Sequence, residues 1–138
     1  MIIRRATQND DLVGIWREVY EADHIPLLPP GVHAPFEPRG EPHVAEVGAA
    51  AVGFCYVDND WLDELWVGKR WQNRGIGTAL IRHAEMLMRS RGILQGSLSV
   101  LASNSRAIAL YRRLGWSEVR RFVSSRNGQI YLRMAKLL

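Results

Sequence analysis

Residues 61–90 constrain this chain more than any other stretch. An apolar run, WLDELWV, passes through a basic, glycine-punctuated turn, GKRWQNRGIG, into the helical pattern TALIRHAEMLMRS. The first part is short and rich in residues that suit a pleated surface, so it reads as a strand. The last reads as an amphipathic helix over 75–90. Ile76, Ala79, Leu80, Ala84 and Leu87 form its inward stripe, and Arg82, Glu85 and Arg89 fall outward at helical pairing distances. Between them, Gly75 and Gly77 stand where Ser, Thr or Asp would normally cap a helix. Unpaired N–H groups and the positive dipole end make a helix N-terminus an anion site, and glycine lets that backbone approach closely. Arg74, with Lys69 and Arg70 nearby, adds positive charge. A tight turn beside a solvated basic face is the competing reading, and the glycine pair alone does not choose.

The remaining patterns set the architecture. IIRRAT is a strand over 2–7, after which Asn9 and Asp10 offer caps for a helix with Leu12, Ile15, Trp16, Val19 and Tyr20 on one stripe. All six prolines fall within 23–42, which predicts an extended loop with its own apolar contacts. HVAEVG, AAVGFCYV and WLDELWV, separated by Gly48 and by Asp58, Asn59 and Asp60, read as an antiparallel meander. LQGSLSV is a strand, a second helix runs from Asn104 or Ser105 to Leu114 and closes at Gly115, and WSEVRRFVSS pairs with QIYLRMAKL across Asn127-Gly128. The order β-α-loop-β-β-β-α-β-α-β-β predicts an α/β (α+β) fold. Its central sheet is mixed and mostly antiparallel, of six to seven strands with helices on both faces, in a single domain over 1–138.

Charge narrows the partners. Eighteen Lys and Arg against fourteen Asp and Glu give +4, and only Lys69 and Lys136 are lysines. Arginine suits phosphate because its fork donates two parallel hydrogen bonds. The same balance fits nucleic acid or an anionic membrane. No RNA-binding motif and no apolar run of signal-peptide or membrane-spanning length is visible, so the expectation is a soluble, cytoplasmic protein that binds neither. The one cysteine, Cys55, sits in a strand and reads as a buried apolar side chain. His83 lies on an apolar helix stripe and reads as a core residue. His24, His33 and His43 scatter in or beside the proline-rich stretch without Cys partners, so no metal is expected. Trp61, Trp66 and Trp71 suit a core or the wall of a cleft.

Two stretches carry a family resemblance. LDELWVGKRWQNRGIGTALIRHAEMLMRSRG resembles the acetyl-CoA motif of the GNAT superfamily of N-acetyltransferases, a strand ending in Val followed by Gln/Arg-x-x-Gly-x-Gly/Ala. LSVLASNSRAIALYRRLGW resembles its next motif, a strand, Asn-x-x-Ala-x-x-x-Tyr, then Leu-Gly-Phe or Trp. The resemblance implies acetyl transfer from acetyl-CoA, as co-substrate, to an amine by direct attack in a ternary complex. Backbone N–H groups of Gln72, Asn73, Arg74, Gly75, Ile76, Gly77 and Thr78 would cradle the pyrophosphate. The backbone of Leu65 and Val67, where their strand splays from the next, would pair with the pantetheine and polarise the thioester carbonyl. Asn104 would bind pantetheine or cap its helix. Tyr111 would hold and protonate the departing thiolate, although Ala107, Tyr111 and Leu114 share a stripe on which a core tyrosine would look the same.

The base is read from chemistry. An amine with a lysine-like pKa is neutral in only about one molecule in a few thousand at pH 7, so something must take its proton. Glu64, Asp63 and Asp60 are the candidates. Alternation puts Asp63 with Leu65 and Val67 and Glu64 on the opposite face. Glu64 is the choice, because GNAT sequences often carry an acid just ahead of this Leu-x-Val. The acceptor is an amine of a small molecule or peptide, and acids at Asp58, Asp60, Asp63 and Glu64 favour a cationic one. The branch acting on ribosomal N-termini typically has a glutamate where Ser99 stands here, so that acceptor is not assigned. Homodimers are frequent in the superfamily. Two rival readings are a non-catalytic acyl-CoA sensor, against which Tyr111 and Gly77 speak, and a basic nucleic-acid binder.

Overall fold

A computed structural model describes residues 1–138. The alternating runs form β1 (Ile2–Arg5), β2 (Glu41–Val47), β3 (Ala50–Asp58), β4 (Trp61–Val67), β5 (Gln95–Leu101), β6 (Ser117–Val123) and β7 (Ile130–Leu137), and the helices are α1 (Leu12–Val19), α2 (Ile76–Ser90) and α3 (Ser105–Arg113). All seven strands join one sheet in the order β1-β2-β3-β4-β5-β7-β6, antiparallel except where β4 meets β5. The main core lies on the α2 and α3 side, where Leu80, Ile81, Ala84 and Met88 meet Cys55, Val57, Leu62, Leu98 and Met134. A smaller cluster on the α1 side joins Tyr20, Leu28 and Leu101 with Trp16 and Trp66. Helices thus cover both faces, as the element order predicts. No helix is long and apolar enough to cross a membrane.

The α1 cap is Asp11, one residue past the two expected, and its carboxylate accepts the Gly14 N–H at 2.9 Å. Asp10 is already committed, taking the Thr7 N–H at 2.7 Å and the Arg4 guanidinium at 2.9 and 3.0 Å. Beyond α1 the chain does not unwind at residue 23. It continues as one π-helical turn, Tyr20–His24, and one 3-10 turn, Ile25–Leu27. Pro26 opens the 3-10 turn, where its missing N–H has no partner to lose. Residues 28–40 then form a strap held by Phe36, which packs on Trp16, Phe54 and Tyr56.

Glu85 corrects the expected outward face of α2. It is 1% exposed, and its carboxylate accepts the Lys136 ammonium at 2.7 Å and the Trp116 indole N–H at 3.3 Å. The buried stripe is wider than the periodicity suggests because Ile81 and Met88 also turn inward under Trp116. Arg82 and Arg89 approach the rim of the same carboxylate at 3.4 and 3.9 Å. Lys136 is 16% exposed and also donates to the Leu114 carbonyl. Removing one partner of such a pair strands the other charge. Glu85→Ala is therefore expected to destabilise the protein by about 3 kcal/mol, read as a lower urea midpoint.

The last hairpin also differs from the tight turn expected. Asn127 has no left-handed φ, which a type I′ turn needs at both central residues, and only Gly128 does, at +72°. The connection is instead a longer loop closed by the Ser124 N–H on the Gln129 carbonyl and the Gly128 N–H on the Ser124 carbonyl, each 2.8 Å.

Candidate functional site

The parallel pairing of β4 and β5 is short. Only Trp61↔Ser97 and Leu62↔Leu98 are in register, after which the two strands part. The Gly68 N–H donates to the Val52 carbonyl at 2.8 Å. Antiparallel alternation then sends the Trp66 and Glu64 N–H groups toward β3, and those of Leu65 and Val67 into the opening beside β5. The backbone edge that the motif assigns to an amide-bearing arm is thus without a strand partner. Of its carbonyls, that of Val67 accepts the Gln72 side-chain N–H at 3.0 Å.

Below this edge the turn leads into α2. Asn73 (φ +62°) and Gly75 (φ +80°) are left-handed, and α2 begins with no side-chain cap. Ala79 is the first residue to donate back, to the Gly75 carbonyl at 3.0 Å, so the N–H groups of Ile76, Gly77 and Thr78 have no partner within the helix. The two glycines do different things. A Cβ on Gly75 would meet open space, and the residue is needed for its positive φ. A Cβ on Gly77 would instead touch Leu110 and Val67 at 3.6 and 3.9 Å, so this glycine faces helix packing rather than an approaching anion. Arg74 is exposed and lies over Trp71 at 5.2 Å. The loop is braced from α3 by Arg106, which donates to Gln72 Oε1 at 3.2 Å and Asn73 Oδ1 at 2.8 Å. From the other side Asp23 accepts Lys69 Nζ at 2.6 Å and Gln72 Nε2 at 3.2 Å. Neither Arg106 nor Asp23 was identifiable from the sequence. Each acts across more than thirty residues, and Asp23 reaches the loop only because the π-turn extends α1.

A cleft of about 800 Å³ joins this opening to the α1 side of the sheet, and Glu64, Asp63, Trp66, Ser99, Asn104 and Tyr111 line it. The expected alternation fails at Asp63. Tyr56 opposes Glu64 while Val57 opposes Leu62, so Asp63 is the extra residue of a β-bulge. The bulge brings Asp63 to the same cleft as Glu64, where it accepts the Arg39 N–H at 2.7 Å. Burial and the neighbouring Asp58 charge raise its pKa against that bond. Asp60 also lines the cleft, from the β3–β4 turn.

Glu64 accepts the Trp66 indole N–H at 2.6 Å. Burial pushes its pKa up to about 7 despite that bond. Tyr111 is 8% exposed and lines the cleft, to which its hydroxyl stays open, and no protein group pairs with that hydroxyl. Burial, with Cys55 and Glu64 nearby, holds its pKa above the ordinary tyrosine value. Asn104 caps α3, accepting the Ala107 N–H at 3.2 Å, and also faces the cleft. Burial pushes the Cys55 thiol up to about 12, so it stays protonated and inert as a nucleophile.

Among the other residues singled out, Trp61 and Trp66 line the cleft, whereas Trp71 packs against the main core beneath Arg74. His24 lines the cleft from the π-turn, stacked on Tyr20 and edge-on to Trp66. Its position was hidden by the expectation of a loop from residue 23. His83 is half-buried rather than enclosed, with Nε2 3.2 Å from His43 Nδ1, and neither ring lines the cleft.

Comparison with known proteins identifies the family. Residues 8–116 match the model of the acetyltransferase (GNAT) family. The chain belongs to that family. It is 36% identical over 73 residues to the ribosomal protein bS18-alanine N-acetyltransferase of Escherichia coli K12, a stretch covering 53% of this chain and 49% of the relative. The chain spans about half the length of the curated relatives it matches. The solved ribosomal-protein-alanine N-acetyltransferase of Brucella melitensis has the same fold, with a TM-score of 0.75 at 20% identity over all of both chains. A Bacillus anthracis protein solved in complex with acetyl coenzyme A shares the fold with a TM-score of 0.66 at 14% identity, over 75% of this chain and 65% of that one.

Proposed function

We propose that the protein transfers an acetyl group from acetyl-CoA to the amine of a small molecule or peptide. The observation that carries this reading is one continuous cleft that brings a half-buried carboxylate with a pKa near 7 and a phenol free of protein partners beside the open edge of β4. The residues suit the co-substrate. The uncapped N–H groups at the start of α2, with Arg74, Lys69 and Arg70, fit a pyrophosphate. The N–H groups of Leu65 and Val67 and the Leu65 carbonyl, which no strand pairs, fit an amide-bearing arm, and Asn104 lines the same cleft. The solved acetyl-CoA complex of the same fold supports the choice of ligand.

Bound acetyl-CoA supplies an acyl group activated as a thioester. The backbone N–H at the β4 edge donates to the acyl oxygen as negative charge develops there, a donor fixed in place before reaction. Glu64 takes a proton from the acceptor ammonium, directly or through water. At a pKa of about 7 it is roughly half ionised near neutrality, close to the best compromise between being free and being basic. The freed nitrogen lone pair forms the C–N bond, the C–S bond breaks, the Tyr111 hydroxyl gives its proton to the departing sulfur, and the second proton shed by the acylated nitrogen returns through water to the Tyr111 oxygen. The raised pKa keeps that hydroxyl protonated until the charge arrives, and the same burial raises the proton affinity of the thiolate. Each carboxylate accepts one N–H, Glu64 from Trp66 and Asp63 from Arg39, and Glu64 is favoured as base because burial carries its pKa to about 7.

On the acceptor side, Glu37, Asp58, Asp60, Asp63 and Glu64 outnumber Arg39 and Arg126, which favours a cationic amine. Ser99 lines the cleft without a carboxylate, so the acceptor named for the ribosomal relatives is not carried over.

Ligand-dependent stability tests the co-substrate. Acetyl-CoA at one hundred times its Kd stabilises the native state by about 2.7 kcal/mol. For a chain of this size that is a rise in Tm of roughly 8 °C. An unchanged midpoint at millimolar acetyl-CoA would sink the reading.

A further inference from the structure

We infer that the Gln72 side chain occupies the place of an incoming amide on β4, and must leave it before the arm of acetyl-CoA can bind. The inference rests on the acetyl-CoA reading above. The Val67 carbonyl faces the opening where β5 has parted from β4, so it has lost the ladder donor that an inner strand would have. Gln72 Nε2 supplies that donor at 3.0 Å. An amide-bearing chain laid along this edge extends the sheet and donates to the same carbonyl, from the same side.

The orientation of the Gln72 amide is not arbitrary. Arg106 can only donate, so it fixes Oε1, which it meets at 3.2 Å. Asp23 and the Val67 carbonyl can only accept here, so they fix Nε2, at 3.2 and 3.0 Å. Flipping the amide would oppose donor to donor and acceptor to acceptor. The amide is therefore held in place by two flanking elements, the π-turn through Asp23 and α3 through Arg106. Leaving Val67 forfeits one of its three contacts and keeps the two holders available. Gln72 thus acts as a positioning residue that keeps the edge satisfied when no ligand is bound and moderates affinity for one part of the ligand only. That part is the pantetheine arm and not the nucleotide, which meets the start of α2.

Titration calorimetry on the full chain separates the two parts. The probes are acetyl-CoA and adenosine 3′-phosphate 5′-diphosphate, the portion of CoA without the arm. Gln72→Met keeps the length of the side chain but donates nothing. One hydrogen bond fewer to displace predicts acetyl-CoA binding tighter by about two- to tenfold, with the armless nucleotide unchanged. Gln72→Ala, which also vacates the carbonyl, shifts acetyl-CoA in the same direction. Acetyl-CoA binding that is unchanged or weaker in both variants overturns the inference, and weakening of both probes together would make Gln72 a brace of the loop. A wild-type protein that binds neither probe refutes the acetyl-CoA reading, and the inference falls with it.

Discussion

Tyr111→Phe is expected to lower kcat about a hundredfold or more while leaving the Kd for acetyl-CoA within about twofold. The expectation is unusually clean because of what the hydroxyl does not do. It faces the cleft and makes no hydrogen bond to the protein, so removing it strands no partner. The ring, packed edge-on against Trp116 at 6.4 Å, is retained in phenylalanine. What disappears is the donor proposed to meet the departing sulfur. A tyrosine kept only for packing would show the opposite pattern, with turnover intact in the variant. That result would make Tyr111 a core residue and leave water as the acid.

Glu64→Gln should have an effect of similar size, about a hundredfold on kcat/KM, with a signature in pH. In the wild type the base must be ionised, so kcat/KM falls as pH drops through about 7. The glutamine variant loses that limb and keeps only the slope from the acceptor's own ionisation. Glutamine still accepts the Trp66 indole N–H, so the local structure is retained. Stability should move the other way. The folded-state pKa lies above the ordinary 4.5, so the protonated carboxyl favours the folded state fully only below 4.5. The advantage is lost as pH rises through the folded value of about 7. At pH 8 the wild type therefore holds an ionised group against burial, and Glu64→Gln should unfold at higher denaturant. A profile unchanged by the substitution would pass the role of base to Asp63, Asp60 or solvent.

Much of this site was legible from residue order, and the exceptions have physical causes. The Val67 edge, the turn from Gln72 to Thr78 and the α3 segment from Asn104 to Tyr111 are local features, each written in one short stretch. The sheet and its helices followed for the same reason, because periodicity is local. Long-range pairing was the harder part. Glu85 sits at an outward-looking helical position, yet it meets Lys136 from a strand 51 residues away. Arg106 and Asp23 brace the turn from elements that only the tertiary fold brings near. Asp63 and Glu64 share a cleft because of a bulge, and a one-residue insertion in a ladder leaves no mark that strict alternation can detect. His24 reached the cleft through a π-turn, a geometry with no dependable sequence signature. Of these residues, Asp63, Glu64 and His24 line the cleft, whereas Glu85, Lys136, Arg106 and Asp23 do not.

The cleft is proposed to carry out acetyl transfer and not merely to hold an acyl-CoA. The direct measurement is free thiol released from acetyl-CoA by the wild-type chain, followed across a panel of diamines, amino acids and peptide amines. The expected result is amine-dependent release, greatest for cationic acceptors and largely lost in Tyr111→Phe. Saturable acetyl-CoA binding with no thiol release above background for any amine would contradict it, and would make the domain a sensor rather than an enzyme.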